Sequence, residues 1–214
     1  LTVSTSFLLL SYIYSLPTPL WKLAESILAS IFFVGNFYFF SEHISYGDSI
    51  STLLPFLHTW SLSIEEQFYI VFPIIFFCIH KYLKKYLIHI LIFALLISLF
   101  ANNYASKSWI TDLNNLSFYM FPLRGWEILS GCVLSIFEIK IKKKKSYFDT
   151  VIPKISFLII IYAIFFFDFE ETKPIPGLLL PVLSTLAIIW FSNKDEFITQ
   201  ILSWPPLVKT GLIS

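Results

Sequence analysis

Two stretches of the sequence hold residue types that an apolar helix seldom carries. Residues 58–73 read HTWSLSIEEQFYIVFP, with Glu65, Glu66 and Gln67 side by side in a run apolar enough to be most of a membrane-spanning helix. Residues 118–131 read FYMFPLRGWEILSG, with Arg124 and Glu127 inside another such run. An ionised side chain in hydrocarbon costs several kcal/mol, so evolved spans carry one only where it has a use. Ser61, Glu65 and Tyr69 are spaced by four and share one helix face, while Glu66 lies about 100° away and Gln67 further round. At least one carboxylate should therefore look into a helix bundle. Arg124 and Glu127, three apart, are neighbours on their own helix. Both helices carry their charges in the first turns, so a shared polar cavity is expected. Such groups do acid–base and electrostatic work: a carboxylate orients a base or a hydroxyl, and a guanidinium holds developing negative charge. Pro122 and Gly125 allow the second helix to bend or pack closely around that cavity. Blander roles stand beside these. Arg124 and Glu127 form a self-neutralising bridge, Trp60 is an interface anchor, and His58 is a solvated loop histidine.

The elements that must position these residues follow from composition. The chain has 214 residues, of which 57% are hydrophobic, 19% aromatic and 14% charged, with a mean hydropathy of +0.76. That is too apolar for a soluble domain of this size and indicates an all-α, polytopic membrane protein. The net charge of +1 points to no partner, nucleic acid included. Cys78 and Cys132 sit in apolar stretches as packing residues, and neither a disulfide framework nor a metal site is expected. Apolar runs of spanning length fall at 62–80, 86–101, 116–138, 151–168 and 176–192, with a further run at 1–16.

The basic loops orient these spans. Lys81, Lys84 and Lys85, and later Lys140 with Lys142 to Lys145, mark cytoplasmic loops, and Lys194 returns to the same side. The polar stretch 102–115 and the acidic turn at Asp168, Glu170 and Glu171 are then outside, as are His58 and the Glu pair. With that orientation, a spanning 20–40 segment forces the 1–16 helix to run inward. The alternative, preferred here, makes 20–40 an interfacial or re-entrant helix, with Lys22, Glu25 and Ser26 at its start and Pro17 and Pro19 as the stop before it.

The first stretch resembles the signature H-x-W-S-L-x-x-E-x-Q-F-Y of the acyltransferase 3 family of integral membrane acyltransferases. The second resembles that family's F-Y-x-x-P-x-R-x-W-E-x-x-x-G. FFVGNFYFF at 32–40 and IPGLLLPVLSTLAI at 175–188 are similar to further family segments, so the likeness covers almost the whole chain. It implies a bundle of about ten spanning helices in the cytoplasmic membrane. In it an acyl group, commonly acetyl, moves from a cytoplasmic donor such as acetyl-CoA to a carbohydrate hydroxyl: a lipopolysaccharide, an exopolysaccharide, peptidoglycan or a macrolide-like molecule. Many members add an extracytoplasmic hydrolase-like domain.

On that reading residues 1–214 are part of one membrane acyltransferase domain truncated at both ends. Glu65, His58, Arg124 and Glu127 are the catalytic candidates. Trp60, Ser61, Glu66, Gln67, Tyr69 and Trp126 are the substrate-binding ones, the two indoles as stacking walls for a sugar. The family's presumed catalytic His, with an Arg about ten residues before it, belongs to a helix ahead of residue 1. None of His43, His58, His80 and His89 takes its place, and residues 1–214 alone are expected to be inactive. Two other classes fit the same charges: a transporter or flippase of glycan intermediates, and a non-catalytic assembly factor that uses them as helix glue.

Overall fold

A computed structural model of the protein describes residues 17–42, 56–107, 111–141, 148–166, 174–193 and 196–213. The 1–16 run, His43, Lys142 to Lys145, the 168–171 turn and Lys194 lie outside the described residues. What is described is helical, as the composition requires. Two compact units divide the chain, Leu1–Ile128 and Leu129–Ser214.

The first unit begins with α1 (Pro17–Ile31) and α2 (Gly35–Ser41). Proline suits a helix's first turn, where its missing N–H has no partner to lose, so Pro17 opens α1. At the other end Phe33 takes a left-handed φ of 55°. Its N–H reaches Ser30 O at 3.2 Å and that of Val34 reaches Ala29 O at 2.9 Å. This is a Schellman closure with Phe where glycine is usual. The 20–40 segment is thus two helices joined at a sharp corner. Its longer arm, at 1.5 Å per residue, reaches only about 22 Å, short of the ~30 Å of a bilayer core. A bond from Lys22 to Glu42 at 2.7 Å ties the two arms, and burial together with Glu25 and Glu42 pushes the Tyr38 phenol up to about 12.

The long helices follow. α3 (Thr59–Tyr82) contains Pro73, and a 3-10 turn at Lys84–Tyr86 leads into α4 (Leu87–Ser106). α3, the stretch Lys84–Ser106 and, in the second unit, Phe148–Phe166 are long and apolar enough to cross a membrane. α2 packs on α1, α3 and α5 (Thr111–Tyr119), and α4 packs on α5. Phe39, Leu57, Trp60, Ile64 and Tyr119 form the core of this unit.

One expected element takes a different form. The 116–138 run is broken at Met120, between α5 and α6 (Phe121–Lys140). Pro122 has no N–H to give to the turn before it, so one ladder bond is lost at the joint. The polar 102–115 stretch is helical at both of its ends. Asn102 and Asn103 complete the last turn of α4, and α5 begins at Thr111. Asn102 can be helical because its amide bonds across to the neighbouring joint.

In the second unit, α7 (Phe148–Phe166) and α8 (Pro174–Phe191) pack side by side, and the short α9 (Phe197–Leu202) touches α7 before α10 (Pro205–Ile213). The apolar part of α8, Gly177–Phe191, is shorter than a full span. α6 runs across the division between the units. Cys78 and Cys132 are free thiols.

Candidate active site

The joint at Met120 sets the site. Leu123 and Arg124 both donate their N–H groups to Met120 O, at 3.1 and 3.2 Å, and so start α6. This puts Arg124 one turn into the helix with Glu127 on the next. The guanidinium forks onto the carboxylate, Nε to Oε1 at 2.8 Å and Nη2 to Oε2 at 3.1 Å. The side chains are 13% and 23% exposed, so the pair is mostly withdrawn from solvent. Bidentate geometry offsets part of that desolvation, and stacking offsets more.

Stacking comes from the first motif. Arg124 Cζ lies 4.9 Å from the Trp60 ring centre and 5.6 Å from that of Phe118. Trp60 packs at 4.4 Å against Phe118 and edge-on at 5.5 Å against Tyr119. A cation over a desolvated indole face gains roughly 2 kcal/mol. The two charged motifs therefore meet through Trp60, the second residue of its own helix.

Side chains from two helices, α4 and α2, hold the joint. Ser98 of α4 sits between Pro122 O and Trp126 N, an i, i+4 pair that a regular helix joins directly. Its hydroxyl donates to the carbonyl at 2.7 Å and accepts from the N–H at 3.0 Å. Asn102 Nδ2 donates to Ser117 O at 3.1 Å and to Leu123 O at 2.9 Å. From α2, Asn36 Nδ2 donates to Tyr119 O at 3.0 Å. Asn36 in turn accepts at Oδ1 from Gln67 Nε2 at 2.9 Å, and the same Gln67 nitrogen donates to Phe33 O at 2.9 Å.

The other candidates are distributed as follows. Ser61, Glu65 and Tyr69 do share one face of α3, but among the described residues that face is exposed, and the buried face carries Trp60, Ile64 and Phe68 instead. The expectation that the Glu65 face looks into a helix bundle is not met within the described residues. The aromatic and aliphatic row packs instead on Phe118, Tyr119 and Phe121. Glu66 and Gln67 are half-buried. His58 caps α3 and is exposed, with its carbonyl accepting from Ser61 Oγ at 3.2 Å. Neither Trp60 nor Trp126 offers an open face for a sugar: they are 8% and 2% exposed, and Trp126 Nε1 is buried without a hydrogen-bond partner. Among the described residues no group of three His, Cys, Asp or Glu could hold a metal.

Sequence reasoning passed over Asn36, Ser98 and Asn102. The cost argument applied to Glu65 also reaches Asn36, a buried amide in the aromatic run FFVGNFYFF. Ser98 and Asn102 carry no comparable signal, because a serine in an apolar helix and an asparagine near its end are ordinary.

Comparison with known proteins gives the family. The chain is 28% identical over 206 residues to the peptidoglycan O-acetyltransferase OatA of Listeria monocytogenes, covering 89% of this chain and 32% of the relative. It is 26% identical over 193 residues to YrhL of Bacillus subtilis, whose name gives peptidoglycan O-acetyltransferase as a provisional assignment, covering 84% and 30%. The chain thus spans about a third of the length of these curated relatives. No solved structure matches it. The family model described as an acyltransferase domain matches residues 6–214, and the chain belongs to the acyltransferase 3 family.

Proposed function

We propose that the whole protein is a cytoplasmic-membrane O-acetyltransferase that moves acetyl from acetyl-CoA to a hydroxyl of a cell-wall glycan. The observation that carries this is the Arg124–Glu127 fork stacked over Trp60. It joins two separate motifs in one mostly buried, charged cluster, in a family of acyltransferases. In the reaction the glycan oxygen attacks the thioester carbonyl, the C–S bond breaks, and CoA leaves as the thiol, taking up through a base the proton that the hydroxyl lost. Arg124 has five N–H donors, of which two go to Glu127. The remaining edge stabilises the developing oxyanion or the donor's phosphates. Glu127 fixes the plane of the guanidinium. Glu65, with His58, Ser61 and Tyr69 on its end of α3, orients the base or the acceptor hydroxyl, while Glu66 lies at the rim.

The names of the relatives favour peptidoglycan over lipopolysaccharide as acceptor. An extracytoplasmic hydrolase-like domain in the full-length protein belongs to the same reading. The test is two-part. Ester-linked acetate on the wall glycan is measured in cells lacking the gene and in cells complemented with the full-length protein. CoA release from acetyl-CoA is followed in proteoliposomes. Loss and recovery of wall acetate, with CoA release, supports an enzyme. A transporter or an assembly factor changes the wall without consuming the donor, and that outcome overturns the proposal.

A further inference from the structure

We infer that Asn36 is a positioning residue for Arg124, acting through the α5–α6 joint, and that Gln67 sets the direction of its amide; this rests on the acyltransferase reading above. Asn36 is 0% exposed and lies where α2 meets α3 and α5. Its bonds form a relay with one possible direction. Both ends of the relay are backbone carbonyls, Phe33 O and Tyr119 O, which can only accept. Gln67 Nε2 must therefore face Phe33 O, and it donates to Asn36 Oδ1 as well. That leaves Asn36 Nδ2 to face Tyr119 O. Neither amide can flip without setting two acceptors against each other.

The two anchored carbonyls are at the places where the chain departs from helix. Phe33 is the left-handed residue that ends α1, and Tyr119 is the last residue of α5, directly before Met120. Met120 O then receives the N–H groups of Leu123 and Arg124. The path from the Asn36 amide to the Arg124 backbone is therefore one hydrogen bond, the two peptide units that meet at Met120, and one further hydrogen bond. Tyr119 also packs edge-on against Trp60, the ring under the guanidinium. A shift of Tyr119 moves both the base of the arginine and the surface on which it stacks. Gln67 Nε2 is thereby committed to the protein, and Asn36 joins three separate sequence segments.

The test uses the full-length protein in membranes, with acetyl transfer to glycan as the readout. Asn36→Ala removes the donor to Tyr119 O and should lower kcat by about a hundredfold, the scale of a misplaced catalytic group, with KM for acetyl-CoA little changed. Asn36→Asp keeps Oδ1 for Gln67 and can donate to Tyr119 O only while its carboxyl is protonated. Its activity should match wild type on the acid side and fall as pH rises through the carboxyl's pKa, a limb absent from the wild-type profile. Asn36→Ala should show no such recovery at any pH. A residue that acts through Arg124 should also add little loss to Arg124→Lys, whereas independent effects multiply. Wild-type kcat in Asn36→Ala, or multiplied losses in the double variant together with a flat Asn36→Asp profile, overturns the inference while leaving the acyltransferase reading intact. A wild-type protein that transfers no acetyl overturns that reading, and this inference with it.

Discussion

At the scale of single residues, the fork of Arg124 onto Glu127 is the feature with the clearest chemical demand. A charge pair this withdrawn from solvent needs both partners, and loss of one leaves the other buried and uncompensated. Arg124→Lys keeps the charge but loses the planar two-point contact and the stacking over Trp60. Acetyl transfer by the full-length variant should fall about a hundred- to a thousandfold, as on removal of an oxyanion donor. Membrane abundance, checked by blot, should hold. Glu65→Gln belongs at this scale too. It removes a negative charge from an exposed position on α3 and so should leave stability unchanged. If the carboxylate orients base or acceptor, the rate falls by about a hundred- to ten-thousandfold. Glu66→Gln should be milder. Full wall acetylation by Glu65→Gln would remove that carboxylate from the chemistry, and disappearance of the protein from the membrane would favour the helix-glue role.

At the scale of elements, the active arrangement depends on interruptions in helices. α5 and α6 are separated by one residue, and side chains from α2 and α4 bond to the joint beside its own ladder. Ser98→Ala removes the hydroxyl between Pro122 O and Trp126 N. A buried group left without its partner costs about 1–3 kcal/mol, which thermal denaturation in detergent should register as a lowered midpoint. Gly35 is a second such place. A Cβ there would stand 3.1 Å from Ser63 Oγ, whose hydroxyl also receives the Gly35 N–H at 3.2 Å. Gly35→Val should push α2 off α3 and destabilise by about 1–3 kcal/mol, the usual cost of overpacking. The same assay should show no change for Lys22→Gln, because its ion pair with Glu42 is exposed.

At the scale of the whole molecule, the question is which way the spans run. Among the described residues three stretches can cross a bilayer by length and composition, and lysines cluster after the first of them. The positive-inside rule puts Lys81 to Lys85 and Lys142 to Lys145 in the cytoplasm and 102–115 outside. In a cysteine-free background of the full-length protein, an impermeant thiol reagent added to intact cells should label Ser108→Cys and leave Lys143→Cys untouched. The reverse pattern would put His58 and the fork on the cytoplasmic side, where a wall glycan is absent.

What the sequence determined by itself was the solvent and the class. Lipid forces every backbone group into helix, and hydropathy over windows of span length needs no tertiary information. A spanning 20–40 helix clashed with the basic loops, which made that segment interfacial or re-entrant, but its break at 32–34 was visible only in the structure. The two motifs were legible as anomalies, since a charge in an apolar run carries its cost wherever it points. Their meeting was not. Spacing set Ser61, Glu65 and Tyr69 on one face of α3, but which face meets α5 is decided by how Trp60, Ile64 and Phe68 pack with Phe118, Tyr119 and Phe121. Those are competing contacts between segments some sixty residues apart in the chain. Tertiary structure alone also decided the roles of Asn36, Ser98 and Asn102, because a side-chain amide or hydroxyl shows its partner only when another helix brings a carbonyl to it.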